Sequence, residues 1–360
     1  MRFALTDEQD MLRASVRGTL QRDAPIRRVR EWLAEGTGTE ATAVAVQQGW
    51  TGIGVEESVG GQGGGLVEIV LVAEEHARAA APGALLGHVG LALPALLSVC
   101  AAGDPLVREL AEGRRIAALA VDAGEILAAP AIEATRVGDV WMLSGEVAHV
   151  LGAPEADLLL VPASDGEDQR LFAVEQAAPE IELVELAGAD STRRLAAVDL
   201  RDTPAMPLGT GPLEIAHLGA RAAILIAADS LGAAQRMLEL TVEYVRERQQ
   251  FGVPVGSFQA VKHIAADMLV DVEASRSATY FAAWSVQNDQ PEAALHASVA
   301  KFVSTDAGAR VAEGALALHG AVGFTWEHDL HLFYKRAKTN LSLFGSPARH
   351  RALVGGALEL

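Results

Sequence analysis

A guanidinium and an aromatic ring three residues apart, in Arg248-Gln249-Gln250-Phe251-Gly252, stand at the end of a long apolar helical pattern and are followed by Phe258-Gln259. A fixed guanidinium can pair with a diphosphate through several donors. The ring beside it offers a flat surface to a planar ligand. An ordinary helix end would use the same residues, since a cation near a helix C-terminus is favourable by itself. Other groups carry less chemistry. His149 and His319 have no second ligand at a suitable helical spacing, so no metal site is expected. The loop Gly60-Gly61-Gln62-Gly63-Gly64-Gly65 lacks the Lys-Ser/Thr ending of a phosphate-binding loop and reads as a connection between helices.

Several classes are excluded by composition. The 360 residues carry a formal charge of −18, which argues against nucleic-acid binding. Half the residues are hydrophobic but only 5% are aromatic, a balance of alanine and glycine that suits close helix packing. No uninterrupted apolar run approaches the roughly 20 residues of a membrane span. The start, Met1 to Glu8, turns acidic at once, unlike a secretory signal, and a cytoplasmic location is expected. The single Cys100, within an apolar run, is expected to be buried and inert.

These residues need elements to position them. Thr6 suits the N-cap of a first helix, with Leu5, Met11, Leu12, Val16 and Leu20 near one face. A second helical pattern covers Glu68 to Ala80. Between about Arg115 and Asp202 the period shortens towards two, with short strands at Ile116–Val121, Val140–Leu143, Asp157–Val161, Arg170–Glu175, Ile181–Leu186 and Leu195–Leu200. That spacing suits an antiparallel barrel or sandwich. Long helices then return over Ile215–Arg248, Phe258–Gln287, Glu292–Leu318 and Asp329–Leu343, with Ser257 as an N-cap for the second, and their short connections predict a four-helix bundle. The expected fold is mainly α with a β domain: a helical domain over 1–114, a middle β domain over 115–205 and a C-terminal bundle over 206–360.

This order resembles the acyl-CoA dehydrogenase family, and the resemblance covers nearly the whole chain. Phe3-Ala4-Leu5-Thr6-Asp7-Glu8-Gln9 is similar to the family's opening helix, and Gly49-Trp50, Gly60-Gly61-Gln62-Gly63 and Glu74-Glu75 follow as in relatives. Asp190-Ser191-Thr192-Arg193-Arg194-Leu195 looks like a segment of bacterial members. His319-Gly320-Ala321-Val322-Gly323-Phe324 resembles the loop beside the neighbouring subunit's FAD pyrophosphate, and Arg248-x-x-Phe251-Gly252 the segment that reaches that same cofactor. The resemblance implies FAD as cofactor, with Arg248, Phe251, Gln259 and Gly320 as cofactor-binding residues. It implies dehydrogenation of an acyl-CoA thioester to its 2-enoyl form, with an electron-transferring flavoprotein as reoxidant. A glutamate removes the proton next to the carbonyl, and its pocket must be desolvated for its pKa to approach that of the C–H acid.

Neither family position for that glutamate holds one. Arg336-Ala337-Lys338 leads to Leu343-Phe344-Gly345, which puts Phe344 at the commoner position, and counting back from Arg248 puts Ala222 at the other. The run resembling the flavin-lining Trp-Ile-Thr/Ser is His149-Val150-Leu151. The Ser/Thr-Glu-Pro-x-x-Gly-Ser-Asp loop has no counterpart between Val121 and Thr135, and a customary glutamine is Ala317. Groups serving the chain's own flavin are lost while those serving a partner's are kept. This pattern resembles the base-lacking subunit of heteromeric α2β2 acyl-CoA dehydrogenases of bacterial steroid side-chain breakdown. Two other readings stand beside it: a self-sufficient homo-oligomeric enzyme with Asp229 as a displaced base, or a cofactor-free scaffold keeping only the fold. Asp229 also suits a buried, hydrogen-bonded polar group at a bundle contact.

Overall fold

The computed structural model describes residues 5–125, 132–211 and 213–359. In chain order the helices are α1 (Asp7–Asp23), α2 (Ile26–Glu35), α3 (Thr39–Gln47), α4 (Leu66–Arg78), α5 (Leu85–Gly87), α6 (Leu93–Val99) and α7 (Pro105–Ala111). Seven strands follow: β1 (Ala117–Leu119), β2 (Ile132–Val137), β3 (Val140–Leu151), β4 (Leu158–Ser164), β5 (Gln169–Glu175), β6 (Ile181–Glu185) and β7 (Leu195–Leu208). Helix α8 (Ile215–Glu247) leads through the short strands β8 (Gln249–Gln250) and β9 (Val253–Pro254) to α9 (Gln259–Gln287), α10 (Ala293–His319), α11 (Leu330–Asn340) and α12 (Pro347–Ala357). Backbone contacts divide the chain into two compact units, Met1–Arg30 with Val70–Ala81 and Ala223–Leu360, and Glu31–Ile69 with Pro82–Ala222.

In the first unit α10 packs on α9, α11 and α12. Helix α1 starts on a capping box: Thr6 Oγ1 accepts from Gln9 N–H at 3.2 Å and Gln9 Oε1 from Thr6 N–H at 3.0 Å. Both contacts satisfy donors that a helix start leaves free. Val16 and Leu20 are buried as the periodicity predicts, but Met11 is 71% exposed. It points off the face that carries Val16 and Leu20, while Leu12 beside it is partly buried. Arg17 of α1 grips Glu75 of α4 through two bonds of 2.6 and 2.9 Å. Neighbouring Glu74, also buried, accepts from Arg276 and Tyr280 of α9, both at 2.5 Å. Helices α8 and α4 touch at Gly232, where a Cβ would lie 2.0 Å from the carbonyl of Glu74. Only glycine permits that approach. Ser257 does not cap α9: its Oγ donates to Pro254 O at 2.7 Å and Phe258 takes the cap position without a side-chain bond.

In the second unit the strands close on themselves. β4 pairs with β2, β2 with β3, β3 with β7, β7 with β5, and β5 returns to β4, while β1 lies parallel to β4 and β6 antiparallel to β7. Closure leaves an interior filled by Leu143, Leu159, Val161, Phe172, Val198 and Leu200. The periodicity misses β2, because Glu133, Thr135 and Arg136 give it a polar outer face. It also stops β3 and β7 short, since two irregularities in their pairing interrupt the alternation and β7 runs on through Pro204 and Pro207. Cys100 is half-buried rather than enclosed, and burial still pushes its thiol pKa up. Among the described residues one helix, α8, is long and apolar enough by length and composition to cross a membrane, though Arg221 and Asp229 interrupt its apolar run, and 67% of its apolar window is buried inside the protein. That burial is what a core helix shows.

Candidate functional site

Helix α8 delivers Arg248 to a tight hairpin. The Arg248 N–H still bonds Tyr244 O at 2.8 Å, and its carbonyl accepts from Val255 N–H at 2.8 Å. Between β8 and β9 only Phe251 and Gly252 remain, with φ of 54° and 81°. Two positive φ values are what a two-residue hairpin of matching twist requires, and glycine meets that need at the second position. Phenylalanine at the first costs about 1–2 kcal/mol. Its ring is 93% exposed, and among the described residues its aromatic neighbour is Phe258, edge-on at 6.2 Å. The Arg248 side chain is exposed and bonds nothing among the described residues, and Gln259 is exposed in the first turn of α9.

A stack of rings sets the Gly320 loop beside this helix end. His319, the last residue of α10, lies parallel to Tyr244 at 4.5 Å and meets His328 at 4.8 Å. Its Nδ1 is 2.8 Å from Ala315 O, and burial holds its pKa below the ordinary value, so the ring stacks as a neutral imidazole. Tyr244 is one turn before Arg248. Gly320 has φ 62° and ψ −144° with open space where a Cβ would be, so conformation rather than crowding requires glycine there. The Tyr244–His319 stack, not legible from spacing, brings the segment before Gly320 to the helix end that carries Arg248, while Phe251 and Gln259 follow in the hairpin and the first turn of α9.

The two positions at which the resemblance places a base are closed. Phe344 is 3% exposed, with φ 52°, and Gly345 follows at φ 93°. Lys301 of α10, wholly buried, donates to the carbonyls of Asn340 and Gly345, each at 3.0 Å. Burial pushes the Lys301 amine down to about 7, and with or without its third proton the amine has an N–H for each carbonyl. His350 Nε2 lies 2.9 Å from Phe344 O, and burial, then the nearby Lys301 charge, lowers its pKa. Ala222 is wholly buried on α8. Asp229, two turns on, is engaged at both oxygens: Arg336 reaches Oδ2 at 2.7 Å through Nη2 and Oδ1 at 3.1 Å through Nε, and Asn340 Nδ2 reaches Oδ1 at 2.7 Å. A guanidinium and an amide thus share the two carboxylate oxygens in the buried interior. These contacts fit the buried, hydrogen-bonded polar role.

In the sheet unit, His149 ends up outside the barrel, exposed, with Nδ1 2.9 Å from Asp122 Oδ1. Val150 and Leu151 are buried aliphatic residues of β3. Within the stretch 121–135 lacking a family loop, residues 126–131 lie outside the described residues, as do residues 1–4 of the opening motif. Among the described residues no three His, Cys, Asp or Glu side chains gather as metal ligands.

Family models match at both ends of the chain: the acyl-CoA dehydrogenase N-terminal domain over residues 6–103 and the C-terminal domain over 218–358. The chain belongs to the acyl-CoA dehydrogenase family. It is 33% identical over 344 residues to acyl-CoA dehydrogenase IpdE2 of Mycobacterium tuberculosis, covering 95% of this chain and 94% of the relative. Two solved structures are similar at 27% identity. The ChsE4-ChsE5 complex from Mycobacterium tuberculosis superposes with a TM-score of 0.89 over 100% of this chain and 99% of that one. A Tcur3481-Tcur3483 steroid ACAD variant gives 0.87 over 98% of each. The family comprises FAD-containing oxidoreductases, and the helical and barrel architecture of this chain is the acyl-CoA dehydrogenase fold.

Proposed function

We propose that this chain is the base-lacking subunit of a heteromeric acyl-CoA dehydrogenase, and that it completes the FAD site of a glutamate-bearing homologue. The carrying observation is the contrast within one unit: Phe344 buried at the base position, and Arg248, Phe251 and Gln259 exposed and unspent. Arg248 would pair with the partner's FAD diphosphate, Phe251 would pack on a flat ring of that cofactor, and Gly320 would let backbone N–H groups approach it. FAD, when bound, supplies the hydride acceptor for α,β-dehydrogenation of the thioester, and the partner supplies the base. Arg336 and Asn340 hold Asp229 out of proton transfer. The two-chain names of the similar structures, one a steroid ACAD, support a heteromer acting on a bulky acyl-CoA. An electron-transferring flavoprotein is the expected reoxidant.

The test is the flavin spectrum of the chain purified alone and after co-expression with a glutamate-bearing homologue. The chain alone is expected to carry little or no FAD and the heteromer to be yellow and bleached by acyl-CoA. A homomer with stoichiometric flavin that bleaches rapidly on acyl-CoA would overturn the reading.

A further inference from the structure

In the second unit an apolar cleft of about 540 Å³ lies between the start of α4, α6 and the first turns of α8. Leu66, Ile69, Val89, Leu93 and Leu97 form its walls, and Arg221 stands within it. The volume falls in the range of roughly 300–1,000 Å³ usual for small-molecule sites. Glu214, His217 and Arg221 follow one helical face of α8, with Glu214 and His217 exposed towards solvent and Arg221 further in. The only hydrogen bond to the Arg221 guanidinium among the described residues is a long one, Nε to Gly90 O at 3.4 Å. Gly90 lies in a π-helical turn, His88–Ala92, a widened geometry often found at functional sites. Burial alone lowers the Arg221 pKa to about 10, and no acidic group, Glu214 included, offsets it.

A guanidinium recessed among leucines without a counter-charge is costly in the free chain, and an incoming anion would relieve that cost. We propose that this cleft binds a small amphipathic carboxylate, its head on Arg221 and its apolar body along Leu66, Ile69, Leu93 and Leu97. The assignment is independent of the flavin reading, because none of these residues belongs to the Arg248 face.

Calorimetric titration of the full-length chain with decanoate tests it, with 1-decanol as the uncharged probe. Saturable decanoate binding is expected. Arg221→Met should weaken it about ten-fold or more, the usual worth of a charged hydrogen bond. Arg221→Lys should retain part of it, and Leu97→Trp, which narrows the half-buried wall without touching the charge, should weaken decanoate and decanol alike. Thermal melts confirm that each variant is folded, and Leu97→Trp decides the matter should Arg221→Met fail to fold. Absence of saturable decanoate binding, equal affinity for decanol, or affinity unchanged by the variants would overturn the proposal.

Discussion

Two Phe-Gly pairs end helices in the helical unit and turn the backbone alike: Phe251-Gly252 after α8, with φ of 54° and 81°, and Phe344-Gly345 after α11, with φ of 52° and 93°. Their surroundings are opposite. The Phe344 ring is buried, which returns about 1.5–3 kcal/mol against the strain of the left-handed conformation, and Lys301 and His350 fix the carbonyls around it. The Phe251 ring is in solvent, and among the described residues its aromatic neighbour is Phe258. One turn encloses its ring, and the other holds an aromatic in a costly conformation that burial of the ring does not repay. Backbone strain retained at an exposed position is a pointer to a ligand or partner.

Replacing Phe344 by glutamate attacks the closed turn and should have the largest effect. A carboxylate forced into this buried position costs several kcal/mol, and the chain should melt markedly earlier. It should also gain no acyl-CoA oxidation, because a base works only when substrate and flavin are aligned with it. Robust turnover by the Phe344→Glu homomer would show that the rest of the pocket is intact and collapse the contrast between the turns.

Lys301 gives a second handle on the closed turn. With its folded pKa near 7 and its unfolded value near 10.5, the unfolded chain holds the extra proton between those limits, so stability should rise with pH across that window. The gain is at most about 1.4 kcal/mol per pH unit. Urea unfolding at pH 7, 8.5 and 10 should show this rise in the native chain and lose it in Lys301→Met. Parallel pH profiles would mean that Lys301 keeps its proton when buried.

On the open turn, Arg248→Ala should lower FAD affinity of the reconstituted heteromer about ten-fold while leaving its assembly nearly intact. If Arg248 serves only the helix end, flavin absorbance per heteromer at limiting FAD stays constant and thermal stability drops slightly instead. The smallest and most discriminating change is Phe251→Asn. Asn-Gly is the preferred pair for this hairpin, so the free chain should gain about 1 kcal/mol. The heteromer should nonetheless lose FAD more readily, since the ring is gone. A variant both more stable and equally loaded would show that Phe251 contributes nothing to the cofactor.

The helical elements were largely legible because their signals are local. Apolar spacing marked α8 to α11 to within a few residues at most ends, and Thr6 with Gln9 announced its capping box. The barrel was less legible: β2 carries a polar outer face, and β7 continues through two prolines that alternation treats as breaks. The site residues divided in the same way. Arg248 and Phe251 stand out by type and spacing, whereas Lys301 gave no signal, because nothing near it in sequence marks it for burial.

What residue identity alone determined is the absence of a proton acceptor at positions 222 and 344, since no folding can make Ala222 or Phe344 accept a proton. What only the tertiary structure decided is the state of the groups that remain. Asp229 meets Arg336 across 107 residues of chain, and that pairing engages both of its carboxylate oxygens. Phe251 and Phe344 share a neighbour and a backbone conformation, yet one ring is solvated and the other enclosed. Burial and ion pairing are set by distant segments converging in space, and local sequence carries no record of which segments those are.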